Sequence, residues 1–342
     1  MQKLLIKGKR ELSGKISISG SKNATLPILA ASILAKKVRL KNIPLVKDIF
    51  TMIELLNFIG LKTKIIKKNN IIEIKNNDKN INTLAPYKLV KTMRAGVLVL
   101  GSLLTKYGKA KVSLPGGCAI GTRPVDLHLF ALKKLGAKIK ITNGYILAEA
   151  KKGLKGAIIK FPSISVGATE NALLAACKAK GKTVLRNCAI EPEIKDLIIF
   201  LNKLGSKIKF KGRTIIIYEN KLKSSNISHE VIFDRIELGT YMIACALLVK
   251  KNIIIDKINP KIVEKEIITT FEKHNLKQIC PLGEKFDYNF HQAMFEVPKN
   301  DCEPGIVVEV SQKGYLLHDR LVRPAMVGIS KKIEDVEIKD KN

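Results

Sequence analysis

The segment LPGGC, residues 114–118, has the residue types of a reactive thiol on a moving loop. Two adjacent glycines lack the Cβ that restricts φ, so the turn before Cys118 can take open and closed states. Arg123 follows five residues later, and a nearby cation lowers the pKa of a thiol, which makes it a better nucleophile or proton donor. A buried, unreactive cysteine is the alternative, and it fits Cys177 and Cys245 inside apolar helix patterns better than it fits Cys118.

Distinctive polar groups also stand at three predicted helix starts: Lys22-Asn23, Arg94 and the turn at 165–167. Helix N-termini bind anions because several unpaired N–H groups and the positive end of the dipole point outward there. Taken singly, each group could be a solvated cap. Their recurrence at equivalent places of a repeated fold predicts that they converge on one anionic ligand.

The elements that position these groups repeat along the chain. Each repeat has an apolar helix rich in small residues, a strand leading into a turn, a second helix ending in glycine, and a pair of Lys/Ile strands. The helix-ending glycines Gly60, Gly136 and Gly205 are 76 and 69 residues apart. Each follows an apolar face with helical spacing, where a left-handed C-cap is needed. The sequence therefore predicts an α/β (α+β) fold of repeated units, and a fourth unit that begins near residue 234 and then loses the pattern.

The last part of the chain has a different pattern. From Pro281 onward, short runs of alternating hydrophobicity are separated by Pro-Gly and Lys-Gly turns, which is typical of a small β-rich module.

Length and composition narrow the class of protein. The 342 residues suffice for about two domains of roughly 150 residues each, with 46% hydrophobic and 27% charged residues. The longest apolar stretch, residues 24–35, is too short to cross a bilayer, and the N-terminus lacks a signal-peptide pattern, so we expect a cytoplasmic protein and no membrane partner. Six cysteines without ligand spacing indicate neither a zinc site nor a disulfide framework. We expect no metal and no cofactor.

The net charge of +31 raises the possibility of a polyanion partner. However, 52 of the 61 basic residues are lysines scattered through every segment, which favours solvated surface lysines over a binding patch. Aromatic residues make up 5% and tryptophan is absent from the sequence, so platforms for stacking bases are poorly supplied. We do not expect a nucleic acid partner.

Several short motifs of the first 260 residues together match one known family. They are SGSKNA (19–24), KTMRA (91–95), LPGGC (114–118), GTRPVDLH (121–128), SVGAT (165–169), EPE (191–193) and DRIE (234–237). On these motifs, the sequence over about residues 1–260 resembles the UDP-N-acetylglucosamine enolpyruvyl transferases of peptidoglycan synthesis. The Cys-loop motif distinguishes it from the related shikimate-pathway transferases. The resemblance implies an inside-out barrel of repeated βαβαββ units. One domain, 22–232, would be complete, and the second, 1–21 plus 233–260, would be truncated.

The resemblance also implies a reaction and its substrates. The enolpyruvyl group of phosphoenolpyruvate would pass to the 3-hydroxyl of UDP-N-acetylglucosamine with release of phosphate, and truncation would impair turnover. Cys118, Lys22 and Arg123 would be catalytic, with Cys118 as proton donor and site of a covalent adduct.

Substrate contacts follow from the same resemblance. Lys22, Arg94 and Arg123 would hold phosphoenolpyruvate, and Asn23 would orient the sugar. The residues implied for the nucleotide are Arg123, Pro124, Val125, Asp126, Leu127, Ser163, Ile164, Ser165, Val166 and Gly167. One departure is Ser163, where many members carry a lysine.

A different set of motifs occurs in the C-terminal part of the chain. They are FD (286–287), HQAM (291–294), PG (304–305), QKGY (312–315) and RLVRPAMV (320–327). On these motifs, residues 262–342 resemble the C-terminal part of a GrpE-type nucleotide exchange factor. The alternative function is therefore that of a chaperone-binding protein, which would use residues 281–342 to contact a DnaK-type chaperone. The two resemblances together predict an in-frame junction of two truncated proteins near residues 260–264. Its origin would be a gene fusion, gene decay or an error of sequence assembly.

Overall fold

The computed structural model describes residues 13–116, 124–220, 222, 226–248, 253–273, 275–299 and 301–332. The chain divides into two compact units, unit 1 (Met1–Ile258) and unit 2 (Asn259–Asn342). In the part of the chain that the structure describes, no helix has the length and apolar character needed to cross a bilayer.

Unit 1 is built from three repeats. After strand β1 (Gly14–Ser17), the first repeat contains α1 (Lys22–Ala31), β2 (Lys37–Lys41), α2 (Lys47–Ile59), β3 (Lys62–Ile66) and β4 (Ile71–Lys75). The second contains β5 (Leu84–Ala85), α3 (Tyr87–Val90), a 3-10 segment (Arg94–Leu98), α4 (Val99–Tyr107), β6 (Lys109–Ser113), α5 (Asp126–Lys134), β7 (Lys138–Thr142) and β8 (Tyr145–Glu149). The third contains β9 (Ile158–Lys160), α6 (Val166–Ala176), β10 (Thr183–Arg186), α7 (Pro192–Lys203), β11 (Lys207–Lys211) and β12 (Thr214–Tyr218). Then follow β13 (Asn226–Glu230), α8 (Arg235–Leu248) and β14 (Ile253–Asp256).

The sheets of the three repeats share one strand order. They are β13-β2-β4-β3, β5-β6-β8-β7 and β9-β10-β12-β11. In each, the first strand pairs parallel to the second, and the other pairings are antiparallel. Strand β13 is thus the parallel edge strand of the first sheet, as β5 and β9 are of the other two. Because β13 follows the third repeat in the chain, this pairing joins the end of the third repeat to the first.

The core of unit 1 lies where the small-residue helices meet. Helix α4 packs on α6, and α1 contacts α4 and α7. Gly101 of α4 allows the close approach, because an added Cβ would lie 2.4 Å from Oδ1 of Asn171 on α6. The same oxygen accepts a 2.8 Å hydrogen bond from the Gly101 N–H. The abundance of alanine and glycine in these helices is therefore a packing requirement.

The predicted glycine ends of the second helices are confirmed. Gly60, Gly136 and Gly205 have φ of 114°, 91° and 102°. These left-handed values are strained for residues that carry a Cβ, and each glycine leads into the strand pair that completes its repeat. The repeated α/β fold predicted from the sequence is likewise confirmed.

Unit 2 is smaller and rich in strands. It contains α9 (Pro260–Lys273), β15 (Leu276–Ile279), β16 (His291–Pro298), β17 (Val307–Gln312), β18 (Gly314–Leu317), β19 (Arg320–Arg323) and β20 (Ala325–Lys331). The strands form two sheets, β15-β18-β19 and β16-β20-β17. Val307, Ala325 and Val327 form a small buried cluster. This confirms the prediction of a β-rich C-terminal module.

Candidate anion-binding cleft of unit 1

A cleft of about 780 Å³ opens in unit 1 where several helices begin. Its walls come from the starts of α1, α6 and α7, the 3-10 segment that precedes α4, and one side of α5. The charged and imidazole groups that line it are Lys22, Asp48, Lys91, Arg94, His128, Glu170, Glu191, Glu193 and Arg235. Helix starts therefore surround a space that is also lined by ionisable side chains, which is the arrangement expected of an anion site.

Helix α1 begins with a serine cap. The Ser21 hydroxyl accepts a hydrogen bond of 3.3 Å from the Ala24 N–H, and the Thr25 hydroxyl donates to the Ser21 carbonyl at 2.7 Å. The first residue of the helix is Lys22, whose Nζ lies 3.2 Å from Oδ2 of Asp48. Both side chains of this ion pair are partly exposed. A cation is thus held at the positive end of a helix, where it adds to the attraction for an anionic ligand.

Helix α6 begins in the same way. The Ser165 hydroxyl accepts from the Ala168 N–H at 3.3 Å, and the Thr169 hydroxyl donates to the Ser165 carbonyl at 2.8 Å. The positions that follow the cap carry Val166 and Gly167, both of which line the cleft. This helix start therefore presents backbone N–H groups without a cationic side chain.

Arg94 opens the 3-10 segment of the second repeat and lines the cleft. The residue before it, Met93, makes no side-chain cap hydrogen bond. After burial, the Arg94 charge is the second cause that lowers the pKa of His128, and at Glu170 it opposes the rise in pKa that burial causes. Its field therefore reaches the α5 and α6 walls of the cleft.

His128 on α5 is a buried member of the wall, with 2% of its surface exposed. Its Nδ1 lies 3.1 Å from Nδ2 of Asn171. Burial, followed by the charge of Arg94, lowers the pKa of His128 to about 4. The imidazole is therefore neutral at physiological pH.

Glu170 is the most perturbed carboxyl of the cleft. Burial, and next the charges of Glu193 and Glu191, raise its pKa to about 8, while Arg94 acts in the opposite direction. Glu193 is the carboxylate that pairs with Arg235, with Nε 3.1 and 3.4 Å from its two oxygens. Since Glu170 is mostly protonated at neutral pH, it does not cancel the positive charges that the cleft offers to an anion.

The structure brings together five of the residues predicted to form the site. Lys22, Asn23, Arg94, Val166 and Gly167 all line the cleft. They come from three repeats, and the convergence follows from the repeated fold.

Other predicted residues lie beside this wall in the chain. Residues 124–127 precede His128 at the start of α5, with Val125 buried and Asp126 exposed. Ser163 and Ile164 are exposed, and Ser165 caps α6. Their contacts with a ligand stay a prediction.

Cys118 and Arg123 lie outside the described residues. The chain enters that segment from the cleft, since Pro115 and Gly116 line it. Gly116 is held close to the neighbouring backbone, because an added Cβ would lie 2.7 Å from the Lys91 carbonyl oxygen.

The charged and imidazole groups of the cleft that were not predicted as site residues are Asp48, Lys91, His128, Glu170, Glu191, Glu193 and Arg235. Glu170 left a signal, since it is a lone carboxyl in the otherwise small and apolar helix VGATENALLAA. Among the described residues, no group of three or more His, Cys, Asp or Glu side chains is placed to hold a metal ion.

Two family models match the chain. The EPSP synthase model (3-phosphoshikimate 1-carboxyvinyltransferase) matches residues 6–280, and the GrpE model matches residues 251–331. The first covers most of the chain, and the second falls on its C-terminal part.

Similar curated proteins are UDP-N-acetylglucosamine 1-carboxyvinyltransferases. That of Pelagibacter ubique (strain HTCC1062) is 58% identical over 268 residues, which are 78% of this chain and 63% of the relative. That of Rickettsia akari (strain Hartford) is 52% identical over 248 residues, which are 72% of this chain and 59% of the relative. The chain thus spans about three-fifths of the length of these relatives.

Solved structures share the fold at low identity. The enolpyruvyl transferase NikO from Streptomyces tendae superposes with a TM-score of 0.67 at 20% identity, covering 85% of this chain and 69% of that one. EPSP synthase from Acinetobacter baumannii gives 0.61 at 18% identity, covering 80% of this chain and 62% of that one. The fold is therefore that of the enolpyruvyl transferases.

Proposed function

The chain belongs to the EPSP synthase family, and we propose that unit 1 binds phosphoenolpyruvate and UDP-N-acetylglucosamine for enolpyruvyl transfer. The observation that carries the proposal is the convergence of Lys22, Asn23, Arg94 and the α6 start on one cleft. Phosphoenolpyruvate has a carboxylate and a phosphate, and two cations beside helix N-termini suit such a polyanion. The transfer would release phosphate and leave the enolpyruvyl group on the 3-hydroxyl of the sugar.

The reaction needs proton transfer as well as charge stabilisation. The sugar hydroxyl oxygen adds to C2 of phosphoenolpyruvate and loses its proton, while C3 gains one. The resulting tetrahedral intermediate then loses phosphate from C2 and a proton from C3. In this proposal Lys22, Arg94 and Arg123 stabilise the negative charge on the phosphate, and Cys118 donates the proton to C3.

The proposal also assigns residues to the sugar and to the uridine nucleotide. Asn23 orients the sugar, and residues 123–127 together with 163–167 contact the uridine nucleotide. Supporting this, residues 166–167 form the uncharged first turn of α6 in the cleft wall. The domain assignment stays part of the proposal, with 22–232 as the Cys-loop domain, 1–21 plus 233–260 as a truncated second domain and 262–342 as a GrpE-like region.

Substrate binding is tested by calorimetric titration of the full chain with UDP-N-acetylglucosamine and then with phosphoenolpyruvate. We expect saturable binding of both. An epoxide that alkylates thiols should then label Cys118, as read by mass spectrometry of tryptic peptides. A Cys118→Ser variant is the control, and it should bind the nucleotide normally without being labelled there. Failure of the wild-type chain to bind either substrate would contradict the proposal.

Turnover is a separate part of the proposal. We expect phosphate release from the two substrates to be slower than in a full-length relative, and the protein to act in the cytoplasm. A coupled phosphate assay on this chain beside the Pelagibacter ubique relative measures the difference. Equal rates would contradict the predicted impairment while supporting the assignment of the reaction.

A second candidate function concerns unit 2. The GrpE family model matches residues 251–331, which include most of that unit. Large apolar side chains are exposed on it, with Tyr288 at 83%, Leu282 at 62% and Val322 at 57%. We propose on these grounds that residues 281–342 contact a DnaK-type chaperone. Retention of the full chain on immobilised chaperone, abolished by Tyr288→Ala and Val322→Ala together, would support this, and equal retention of that variant would contradict it.

A further inference from the structure

Three lysines stand side by side on the solvent face of the first sheet, and they are called the lysine row below. Lys75, the last residue of β4, is paired with Lys37 of β2 on one side and with Lys62 of β3 on the other. All three are exposed, and the outer Cα atoms of the row are about 10 Å apart. Like charges directly opposite each other destabilise a sheet, so the row lowers the stability of the fold unless an anion lies against it.

The lysine row has no counter-charge of its own. Among the described residues, none of its ammonium groups is within ion-pair distance of a carboxylate. The next row of the same face is different, because Glu73 of β4 is paired there with Lys64 of β3 and Arg39 of β2. The Glu73 carboxylate also lies 3.1 Å from Nη1 of Arg39. The excess of positive charge is therefore confined to the end of the sheet where the lysine row lies.

The equivalent rows of the other two repeats have a different residue at the centre. In the second sheet, Glu149 ends β8 and is paired with Lys109 on one side and Lys138 on the other. In the third sheet, Tyr218 ends β12, and Nζ of Lys182 lies 5.6 Å from the centre of its ring. A carboxylate and an aromatic face are both favourable partners for ammonium groups. The first sheet departs from the repeat at this central position.

A cavity of about 370 Å³ opens at the lysine row, and all the residues that line it are polar. They are Lys36, Lys37, Lys75, Asn76, Asn77 and Asp78. The carboxylate among them, that of Asp78, is already engaged by Nζ of Lys106 at 2.8 Å and by the Tyr107 hydroxyl at 2.9 Å. The Asn76 amide is also committed, since its Nδ2 donates to the Ile33 carbonyl at 2.8 Å. The cavity walls therefore offer a ligand three ammonium groups whose charge is not offset by an ion pair.

We propose that this cavity and the adjoining lysine row bind an anion with several phosphoryl groups in a chain, such as a polyphosphate. Each phosphoryl group brings negative charge, so a chain of them can offset neighbouring ammonium groups together. Lysine is a point charge with rotatable donors on a flexible stem, which suits a flexible phosphate chain. Such a ligand would supply the charge that Glu149 supplies in the second sheet. The lining residues differ from those of the cleft, so the inference is independent of the proposed function.

Substitutions of Lys75 give the first sheet the central residue of its counterparts. Lys75→Glu reproduces the second sheet, and Lys75→Tyr reproduces the third. Lys209→Glu is the matched control for charge, because Lys209 is an exposed strand lysine of the third sheet that is paired with Ile216. Without ligand, Lys75→Glu should raise the urea midpoint of unfolding, and Lys209→Glu should raise it less, because only the first change replaces like-charge pairs by attractive ones. Equal midpoints for the wild type and Lys75→Glu would overturn the premise that the row is unbalanced.

Calorimetric titration of each full-length variant with inorganic tripolyphosphate at low salt tests binding. The wild type should bind saturably. Lys75→Glu should weaken binding at least tenfold and Lys75→Tyr about tenfold, as expected when hydrogen bonds to charged groups are lost. Lys209→Glu should stay within about threefold of the wild type, because it changes the net charge equally but away from the cavity. Equal weakening by Lys75→Glu and Lys209→Glu would overturn the inference, since total charge alone would then set the affinity.

Two further ligands separate this site from other ways of binding an anion. ATP should bind no more tightly than tripolyphosphate, because no aromatic side chain lines the cavity to stack on the base. A hexaglutamate peptide should bind at least tenfold more weakly than tripolyphosphate. Tenfold tighter binding of ATP would overturn the inference by indicating a nucleoside site. Equal binding of hexaglutamate would overturn it by indicating a diffuse basic surface.

A measurement on the wild-type chain locates the ligand and covers the case in which the Lys75 variants fail to fold. In ¹⁵N-labelled protein, tripolyphosphate should shift the backbone amide resonances of residues 36–37 and 75–77. Shifts confined to cleft residues such as Asn23 and Gly167 would overturn the inference, since the anion would then occupy the cleft alone. That outcome would leave the proposed binding of phosphoenolpyruvate and the sugar nucleotide standing.

Discussion

Helices α1 and α6 begin with the same five-residue plan and present different chemistry to the cleft. The segments SKNAT (21–25) and SVGAT (165–169) have the same serine cap and the same threonine bond back to it. Lys22 and Asn23 of α1 correspond to Val166 and Gly167 of α6. The backbone geometry is kept while the charge after the cap is exchanged for apolar or absent side chains.

The residue that follows each five-residue segment differs in the opposite sense, because α1 has an apolar side chain there and α6 has an ionisable one. Leu26 of α1 corresponds to Glu170 of α6, and both are buried and line the cleft. At α1 the polar group is a half-exposed cation, and at α6 it is a protonated carboxyl next to a neutral imidazole. The two helix starts therefore offer different groups to an anion, a cationic side chain at α1 and backbone N–H groups beside a neutral imidazole at α6. Recognition by charge should weaken with salt much more than recognition by a buried neutral donor.

The largest effect should come from removing the cation of α1. Lys22→Ala should weaken phosphoenolpyruvate binding by about 1.5–3 kcal/mol, roughly 10- to 100-fold, because a charge-assisted hydrogen bond is lost. UDP binding should change by less than about threefold, since the nucleotide is assigned to the α6 start. Calorimetric titration of both ligands measures the split.

Lys138→Ala is the matched control for that experiment, since Lys138 is an exposed strand lysine outside the cleft wall. It should leave both affinities unchanged. If Lys22→Ala weakened UDP and phosphoenolpyruvate equally, the two helix starts would serve one ligand, and the proposed division between them would be wrong.

A second test concerns the carboxyl that replaces Leu26. The pKa of Glu170 is raised from an ordinary 4.5 to about 8, so the folded chain holds a proton that the unfolded chain loses between these pH values. Stability should therefore fall as pH rises from about 5 to 8. Glu170→Gln removes this loss and should be more stable than the wild type by about 1–2 kcal/mol at pH 8, with a smaller advantage at pH 5.

Urea unfolding at pH 5 and pH 8 measures this difference. Glu54→Gln is the control, because Glu54 is exposed on α2 and should show no such pH-dependent gain. An advantage of Glu170→Gln that is equal at the two pH values would indicate that the carboxyl is ionised in the folded state throughout, contrary to its burial.

The serine caps of α1 and α6 could be predicted from the sequence. The contacts that distinguish the two helix starts could not. A serine followed by a small-residue apolar helix is a local signal, as are the glycines at 60, 136 and 205. The repeat then predicted that Lys22, Arg94 and the turn at 165–167 converge.

The missed contacts depend on tertiary packing. The pairing of Lys22 with Asp48 joins two helices, and the tautomer of His128 depends on an amide 43 residues away. The elevated pKa of Glu170 depends on burial and on the charges of Glu193 and Glu191 at the start of α7. No local pattern encodes these distances, because they arise only when the repeats have packed together.

The caps themselves provide a smaller test of equivalence. Ser21→Ala and Ser165→Ala should each lower the free energy of unfolding by about 1 kcal/mol, since each removes one acceptor for an otherwise unpaired helix N–H. Ser21→Asp and Ser165→Asp retain an acceptor at the cap and should lose less. Thermal unfolding followed by circular dichroism gives both values. Losses that differ by more than about 1 kcal/mol would mean that the two starts share a sequence pattern without sharing energetics.

The smallest effect on stability should come from replacing Asp48, which pairs with Lys22 of α1. The equivalent residue of α6, Val166, is apolar and makes no such ion pair. The Lys22–Asp48 pair is 3.2 Å long, with side chains 42% and 37% exposed, so solvent screens it and Asp48→Asn should change stability by less than about 0.5 kcal/mol. Because Asp48 competes with an anionic ligand for the ammonium group, the variant should bind phosphoenolpyruvate about two- to threefold more tightly, and this gain should vanish at high salt. If Asp48→Asn instead weakened binding tenfold, the carboxylate would be positioning Lys22 for the ligand, and the charge of α1 would need a partner as much as the His128 imidazole of α5 needs Asn171.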